Sequence, residues 1–365
     1  MPWLDRFLSS LLDFFSISVL DPGGRFYWIT GIESMLVLAI AYTVWNGIGN
    51  GGLRGFLRFC FPKGTYTHRS TLVDYQLNLG NFFINPYVNV AWRFNAAFFT
   101  TWLIAALTWA FGPAPHLLSW NWATLLGFTV VLAVLDDFGY WVWHYLCHRV
   151  KFLWAFHCVH HSAEVMTPLV AGRVHPVEAV LLPVFRSAST AVVLAAGIYL
   201  FIGEATTITV FGMGLVAAVM AAAGDQLFHA HVPISWGDRL NRYIISPATH
   251  QIHHSIAPHH HDKNMGAYLA IWDWMFGTLY LPRGETLRFG LAGHEKQIHS
   301  NLVTAYLRPV WDATVELHRL TEMARAWLAG MWRQRALRQI APDPAGTPDA
   351  VTTLGAAFPH DPGHR

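Results

Sequence analysis

Long uncharged stretches alternate with short, strongly polar ones along this chain, and that alternation predicts its elements. Residues 34–53 carry no Asp, Glu, Lys or Arg, and neither do residues 94–135. A bilayer span takes roughly 20 apolar residues, so the second stretch is long enough for two. The turn Gly112-Pro113-Ala114-Pro115-His116 divides them. Two further uncharged runs, 187–203 and 205–224, are separated only by Glu204. We read about five membrane-crossing or deeply buried helices, the last two forming a hairpin short for a full crossing. The expected fold class is all-α, a multi-pass membrane helical bundle.

Composition agrees with that pattern. Charged residues make up 13% of the 365, against about 25% in an ordinary soluble domain. The first residues, MPWLDRFLSSLLDFFSISVLD, place Asp5, Arg6 and Asp13 inside an apolar pattern and lack a small-residue cleavage site. The expectation for 1–26 is an amphipathic segment at the membrane interface, not a signal peptide. Residues 27–300 form the membrane-embedded domain and 301–340 surface helices. The Pro-, Gly- and Ala-rich stretch 341–365 is expected to be a disordered tail.

Charge placement orients the bundle. With 34–53 as one span and two hairpins after it, all of the 24 Lys and Arg except Arg6 and Arg25 fall on one side. The positive-inside rule makes that side cytosolic, with the C-terminus. A formal net charge of +2 gives no reason to expect a nucleic-acid partner. The cysteines Cys60, Cys147 and Cys158 form no CxxC pair, as expected in a reducing compartment. Cys147 and Cys158 neighbour histidines in sequence but point about 100° away on a helix, so neither is expected to share their target.

The chemistry lies in the 21 histidines. They group as His144-x-x-x-His148, His157-x-x-His160-His161, His175, His229-x-His231 and His250-x-x-His253-His254. Positions i, i+3 and i+4 share one helix face, so each box presents two or three imidazoles to one point. The first box ends the span that begins near 121, and His229 follows the last apolar run, so distant clusters reach the same membrane face. Imidazole-rich sites suit zinc, iron, copper or nickel. The boxes and His229 offer more ligands than one structural zinc takes. Two metals with open positions fit that number, and paired irons that activate O2 fit the chemistry best. In THQIHHSIAPHHHDKN, Pro258 ends the helix, so His259, His260 and His261 read as a loop.

The boxes in this order, with their flanks, resemble the fatty acid hydroxylase/sterol desaturase superfamily of integral-membrane di-iron oxygenases. The flanks are Asp136-Asp137-Phe138-Gly139-Tyr140-Trp141 before the first box, Leu153-Trp154-Ala155-Phe156 before the second and Ser246-Pro247 before the third. Arg173-Val174-His175-Pro176-Val177-Glu178, Asp262-Lys263-Asn264-Met265-Gly266 and Trp272-Asp273-x-x-Phe276-Gly277-Thr278 carry the likeness further. The chain departs from the common pattern at Tyr145, Met265 and Trp274.

The resemblance implies metal ligation by His144, His148, His157, His160, His161, His229, His250, His253 and His254. It makes the cap a cytosolic catalytic one, with two Fe ions, replaceable by Zn in a purified sample, and O2 as co-substrate. Asp137, Asp225 and His175 are candidate partners of the ligand rings, because a carboxylate accepting the outer N–H would fix ring orientation. Asp273 reads as the anchor of its turn. The implied reaction is hydroxylation or desaturation of an unactivated C–H in a membrane lipid (a sterol, fatty-acyl or related lipid). No His-Pro-Gly-Gly haem signature is present, the nearest run being Asp21-Pro22-Gly23-Gly24. Electrons are therefore expected from a separate ferredoxin, cytochrome b5 or reductase. The rival is a histidine-rich membrane metal-binding or transport protein, which would carry polar groups along the spans instead of at their ends.

Overall fold

In the computed structural model the described residues are 35–46, 51–92, 95–202, 209–210, 213–214, 227–291 and 300–340. They are helical throughout, apart from loops and the antiparallel two-residue strands β1 (Thr209–Val210) and β2 (Met213–Gly214). The segments 1–26 and 341–365, Asp225, and most of the second arm of the 187–224 hairpin lie outside the described residues.

Among the described residues, two helices are long and apolar enough to cross a membrane: α5 (Trp122–Arg149) and α7 (Pro176–Leu200). The other predicted spans are shorter. The 34–53 run yields α1 (Met35–Asn46), followed by α2 (Gly52–Cys60), and the first arm of 94–135 yields α4 (Asn95–Phe111). An unpredicted helix, α3 (Arg69–Trp92), precedes α4. Its Asn and Tyr positions interrupt any uniform apolar stripe, which hid it from hydropathy alone.

Local rules set the bounds of the long helices. Asn121 caps α5, its Oδ1 accepting from the N–H groups of Ala123 and Thr124 at 2.9 and 3.0 Å, while Thr124 returns a bond to the Asn121 N–H. At the other end Val150 leaves the helical region, and α6 (Lys151–His161) starts at the next residue. That corner folds the second histidine box back on the first. Pro176 opens α7, where its missing N–H costs nothing.

Helix α7 packs between α5 and α4. A methyl group at Gly139 would lie 2.8 Å from the Phe185 carbonyl and 2.9 Å from Arg186 Cα, so glycine lets the two long helices touch. One turn away, Arg186 Nε donates to Asp136 Oδ1 at 2.9 Å and pairs the two helices. Large apolar side chains on their outer faces, including Trp122, Leu126, Val192 and Ile198, remain exposed, as do Trp102 and Trp109 on α4.

The rest of the first unit wraps around the histidines. Helices α8 (Gly237–Leu240), α9 (Pro247–His253) and α10 (Ile271–Phe276) are short and joined by loops, and α11 (Leu302–Ile340) begins in the same unit. Val73 and Leu77 of α3, Val159 of α6 and Ala305 of α11 form one buried cluster. The second unit, from Leu317 on, is helical through its described part, with an Arg325–Glu322 pair and exposed Met323, Trp327 and Trp332.

A buried guanidinium ties these layers together. Arg173 donates to Asp74 Oδ1 at 2.6 Å, Ser70 O at 3.1 Å, Val159 O at 2.8 Å and Ser162 Oγ at 2.7 Å. Removing one member of a buried pair strands the other, at about 3–5 kcal/mol. Arg173→Ala is therefore expected to lower the Tm in detergent by several degrees, with Arg173→Lys in between. A Tm unchanged by either would show that the pair contributes nothing to stability.

Candidate metal centre

The first box lies on the last two turns of α5, where His144 and His148 share a face. The second follows the Val150 corner on α6. Helix α9 supplies the third, and its start is well determined: Pro247 stands at the first position, and Ser246 and Thr249 form a reciprocal cap. Gln251 reaches from α9 to the carbonyls of Ala230 and Val232 at 2.7 and 3.1 Å, which holds the intervening chain so that His229 meets His250.

These nine side chains fall into two groups. His144, His148, His157, His161 and His253 form one; His160, His229, His250 and His254 form the other. All are buried except His148 and His229, which are half-buried. Their walls adjoin: the ring centroids of His161 lie 4.6 Å from those of both His253 and His254, and His160 lies 4.6 Å from His254.

In the five-membered group the outer nitrogens are engaged and the inner ones are left over. His144 Nδ1 contacts Met265 O at 2.7 Å and His253 Nδ1 contacts Lys263 O at 2.8 Å, so each ring donates there and presents a bare Nε2. Nδ1 of His157 meets Glu178 Oε2 at 2.8 Å, and Nδ1 of His148 lies 3.7 Å from Asp262 Oδ1. The Nε2 atoms of His144, His148 and His253 are buried and have no protein partner. Those of His157 and His161 face each other at 3.2 Å.

In the second group His229 Nε2 stands 3.2 Å from His160 Nε2 and 2.9 Å from His250 Nε2, with His254 Nε2 3.1 Å from His250 Nε2. One proton per neutral ring cannot satisfy all these contacts. Nitrogens about 2.0–2.1 Å from one tetrahedral ion would be about 3.3 Å apart, so the donor set fits a cation. Burial lowers the pKa of His160, His161, His229, His250, His253 and His254 well below the ordinary histidine value, and neighbouring rings lower it further. The rings are thus neutral and able to ligate near pH 7.

Two residues, Asp137 and His175, stand elsewhere than the sequence pattern predicted. Asp137 does not reach His144; seven residues of helix separate them by about 10 Å. Its carboxylate instead accepts from the N–H groups of Tyr268 and Leu269 and from Trp272 Nε1, at 2.9, 3.3 and 2.9 Å. His175 belongs to neither group. It caps α7 through Val177 N at 3.1 Å and contacts Tyr306 O at 3.0 Å. His231 contacts Phe59 O at 2.7 Å. Asp273 collects Met265 N, Gly266 N, Thr278 Oγ1 and Trp141 Nε1, and so anchors its loop to α5. The His259–His261 run includes a short 3-10 turn, with His260 buried against Tyr280.

Sequence reasoning did not assign the partners found for the ligand rings. Glu178 lay within a quoted motif but was given no role. Asp262 bridges Nδ1 of His148 and, at 3.1 Å, Arg149 Nη1. The carbonyls of Lys263 and Met265 flank Asn264, whose φ of 55° is a left-handed value that Asn tolerates. Asn264 is itself held by Thr249 O, Tyr280 O and Tyr280 N. The Asp-Lys-Asn-Met-Gly stretch therefore orients ligand rings through its backbone, and Met265 in place of an aromatic leaves that carbonyl intact.

Residues 129–278 match the fatty acid hydroxylase family. The ornithine lipid hydroxylase OlsE of Rhizobium tropici is 30% identical over 170 residues, covering 46% of this chain and 47% of that protein. An alkylglycerol monooxygenase of Danio rerio is 25% identical over 249 residues, 68% of this chain and 50% of the relative. A putative Delta(7)-sterol-C5(6)-desaturase 2 of Arabidopsis thaliana is 27% identical over 170 residues, 45% of this chain and 52% of the relative. The chain thus spans about half the length of these curated relatives. No solved structure matches it. All three boxes and His229 fall inside the matched segment, and the family model and these relatives together support the fatty acid hydroxylase/sterol desaturase superfamily.

Two outcomes follow. Loss of an outer carboxylate typically costs 10–100-fold in metal affinity. Glu178→Gln is expected to weaken one of two bound metals by that factor and spare the other; equal loss of both, or of neither, by elemental analysis would contradict the assignment. The second concerns pH. Unfolded rings take up protons below about pH 6.5 while the buried ones resist, so unfolding binds protons and native stability falls as pH drops below that value. Protons also displace metal from imidazole. Metal content and Tm should decline together below about pH 6.5, and a flat profile down to pH 5 would contradict this.

Proposed function

We propose that the protein is a membrane-bound oxidoreductase that hydroxylates or desaturates an unactivated C–H of a membrane lipid, with two metal ions held by the two histidine groups. The observation that carries the proposal is the convergence of nine imidazoles in two adjoining, buried sets. The names of its relatives, lipid hydroxylase, monooxygenase and desaturase, support the reaction class.

The residues present would hold one iron in the five-histidine group and the second in the four-histidine group. When bound, the iron pair supplies O2 activation. Hydroxylation then balances as R–H + O2 + two electrons + two protons giving R–OH + H2O, the electrons coming from a separate ferredoxin, cytochrome b5 or reductase. What the chain contributes is orientation and dryness. Glu178, Asp262, Lys263 O and Met265 O fix the ring faces. Burial around His144 and His161 keeps bulk water from the reacting space. No pair of side chains is assigned as acid and base.

The helices support a membrane setting. At 1.5 Å per residue α5 is about 42 Å long, more than the roughly 30 Å hydrocarbon layer. Its final turns, with His144 and His148, would project beyond that layer on the basic side, which the charge pattern makes cytosolic. Exposed apolar faces on α4, α5 and α7 would meet lipid.

The test is lipid mass spectrometry of cells with and without the protein, beside a His160→Ala control. A lipid gaining one oxygen or losing two hydrogens, absent from the control, is expected. An unchanged lipid profile with metal bound would favour the metal-binding alternative instead. Elemental analysis should give about two metals per chain, one lost in His253→Ala and the other in His254→Ala. A single metal, or none lost in either variant, would remove the dinuclear proposal.

A further inference from the structure

A cavity of about 320 Å³ opens beside the histidine groups. Its inner wall includes His148, His161, His253 and His254, so the space reaches members of both groups. Arg149, Lys151, Asp262 and Trp154 also line it. The volume lies at the lower end of the roughly 300–1,000 Å³ range of small-molecule sites.

The rim is electropositive. Asp262 is the one carboxylate among the described lining residues, and it is already engaged by Arg149 at 3.1 Å and by His148 at 3.7 Å. Arg149 and Lys151 together outweigh it. Arg149 is also steadied, its guanidinium lying 5.2 Å from the centre of the Tyr145 ring.

We propose that this cavity takes the anionic headgroup of a polar lipid, a phosphate or a carboxylate, with Arg149 and Lys151 as its recognition groups. Arg149 and Lys151 line the same small space as four of the histidines, so the C–H presented to the histidine groups lies within a few bonds of that headgroup. The substrate is thereby an anionic or zwitterionic polar lipid. Binding stands on the cavity and its charges; the site of oxidation rests additionally on the oxygenase reading above.

The binding test uses the full-length, metal-loaded protein in a neutral maltoside detergent, titrated with dihexanoyl phosphatidic acid, dihexanoylglycerol or inorganic phosphate. The anionic lipid is expected to bind, and to bind at least tenfold more weakly to Lys151→Gln and to Arg149→Gln/Lys151→Gln, with Lys151→Arg near wild type. Lys151 is exposed, so its single variant decides the matter if the double variant fails to fold. Equal binding by wild type and Lys151→Gln, or equal binding of dihexanoylglycerol, would overturn the proposal. Inorganic phosphate binding as tightly as the lipid would reduce the site to a simple anion site and overturn it too. A second arm locates the added oxygen or new double bond by tandem mass spectrometry. A position in or next to the headgroup is expected, and one in mid-chain or on a sterol would overturn the placement. If wild type oxidises no lipid, the oxygenase reading fails, while the titration still decides the headgroup site.

Discussion

Nine imidazoles brought face to face are the constraint on which the rest of this structure depends. Neutral rings packed this way leave inner nitrogens unpaired, and an unpaired buried acceptor costs about 1–3 kcal/mol. A cation at each group would convert that deficit into coordination, which couples metal binding to folding. The arrangement works only if each ring keeps its orientation. That is the role of Glu178 on His157, Lys263 O on His253 and Met265 O on His144.

Buried ionic groups then hold the segments that carry those partners. Asp137 and Asp273 receive backbone N–H groups from residues 265–269 and dock that loop on α5. Arg173 does the same for α3 and α6 on the other side. The contacts of Asp137 with the loop, of Asp273 with Trp141 and of Arg173 with Asp74 join segments 99 to 132 residues apart. A conservative change at Asp137 or Asp273 would therefore act on the metal centre through the loop, although neither acid touches a ligand ring.

The two ends of the site differ in character. Toward α5 and α7 the surroundings are apolar, with helices drawn together at Gly139 and the pair Arg186–Asp136 between them. Away from those helices the site opens into a polar, cationic cavity. The amphiphile proposed as substrate would meet complementary surfaces on both sides, with the histidine groups at the boundary between them.

The histidine boxes, their order and their one-face spacing were legible in the sequence, because helical period alone decides which side chains share a face. So were the two long apolar helices, through hydropathy; the helix of the third box, expected to stop at Pro258, already ends at His253. The grouping was not legible. His160 and His161 are adjacent in sequence yet go to different groups, since about 100° of helix separates them and each meets a different partner set. Nor was it visible that Asp137 would serve backbone amides of residues 268 and 269, or that Asn264 would turn left-handed and aim two carbonyls at ligand rings. Carbonyl groups exist at every residue and leave no trace in composition. Spacing within a helix is a local property that the sequence by itself determines, whereas the partner of each outer nitrogen comes from another segment, 10 to 121 residues away, which only the tertiary structure decides.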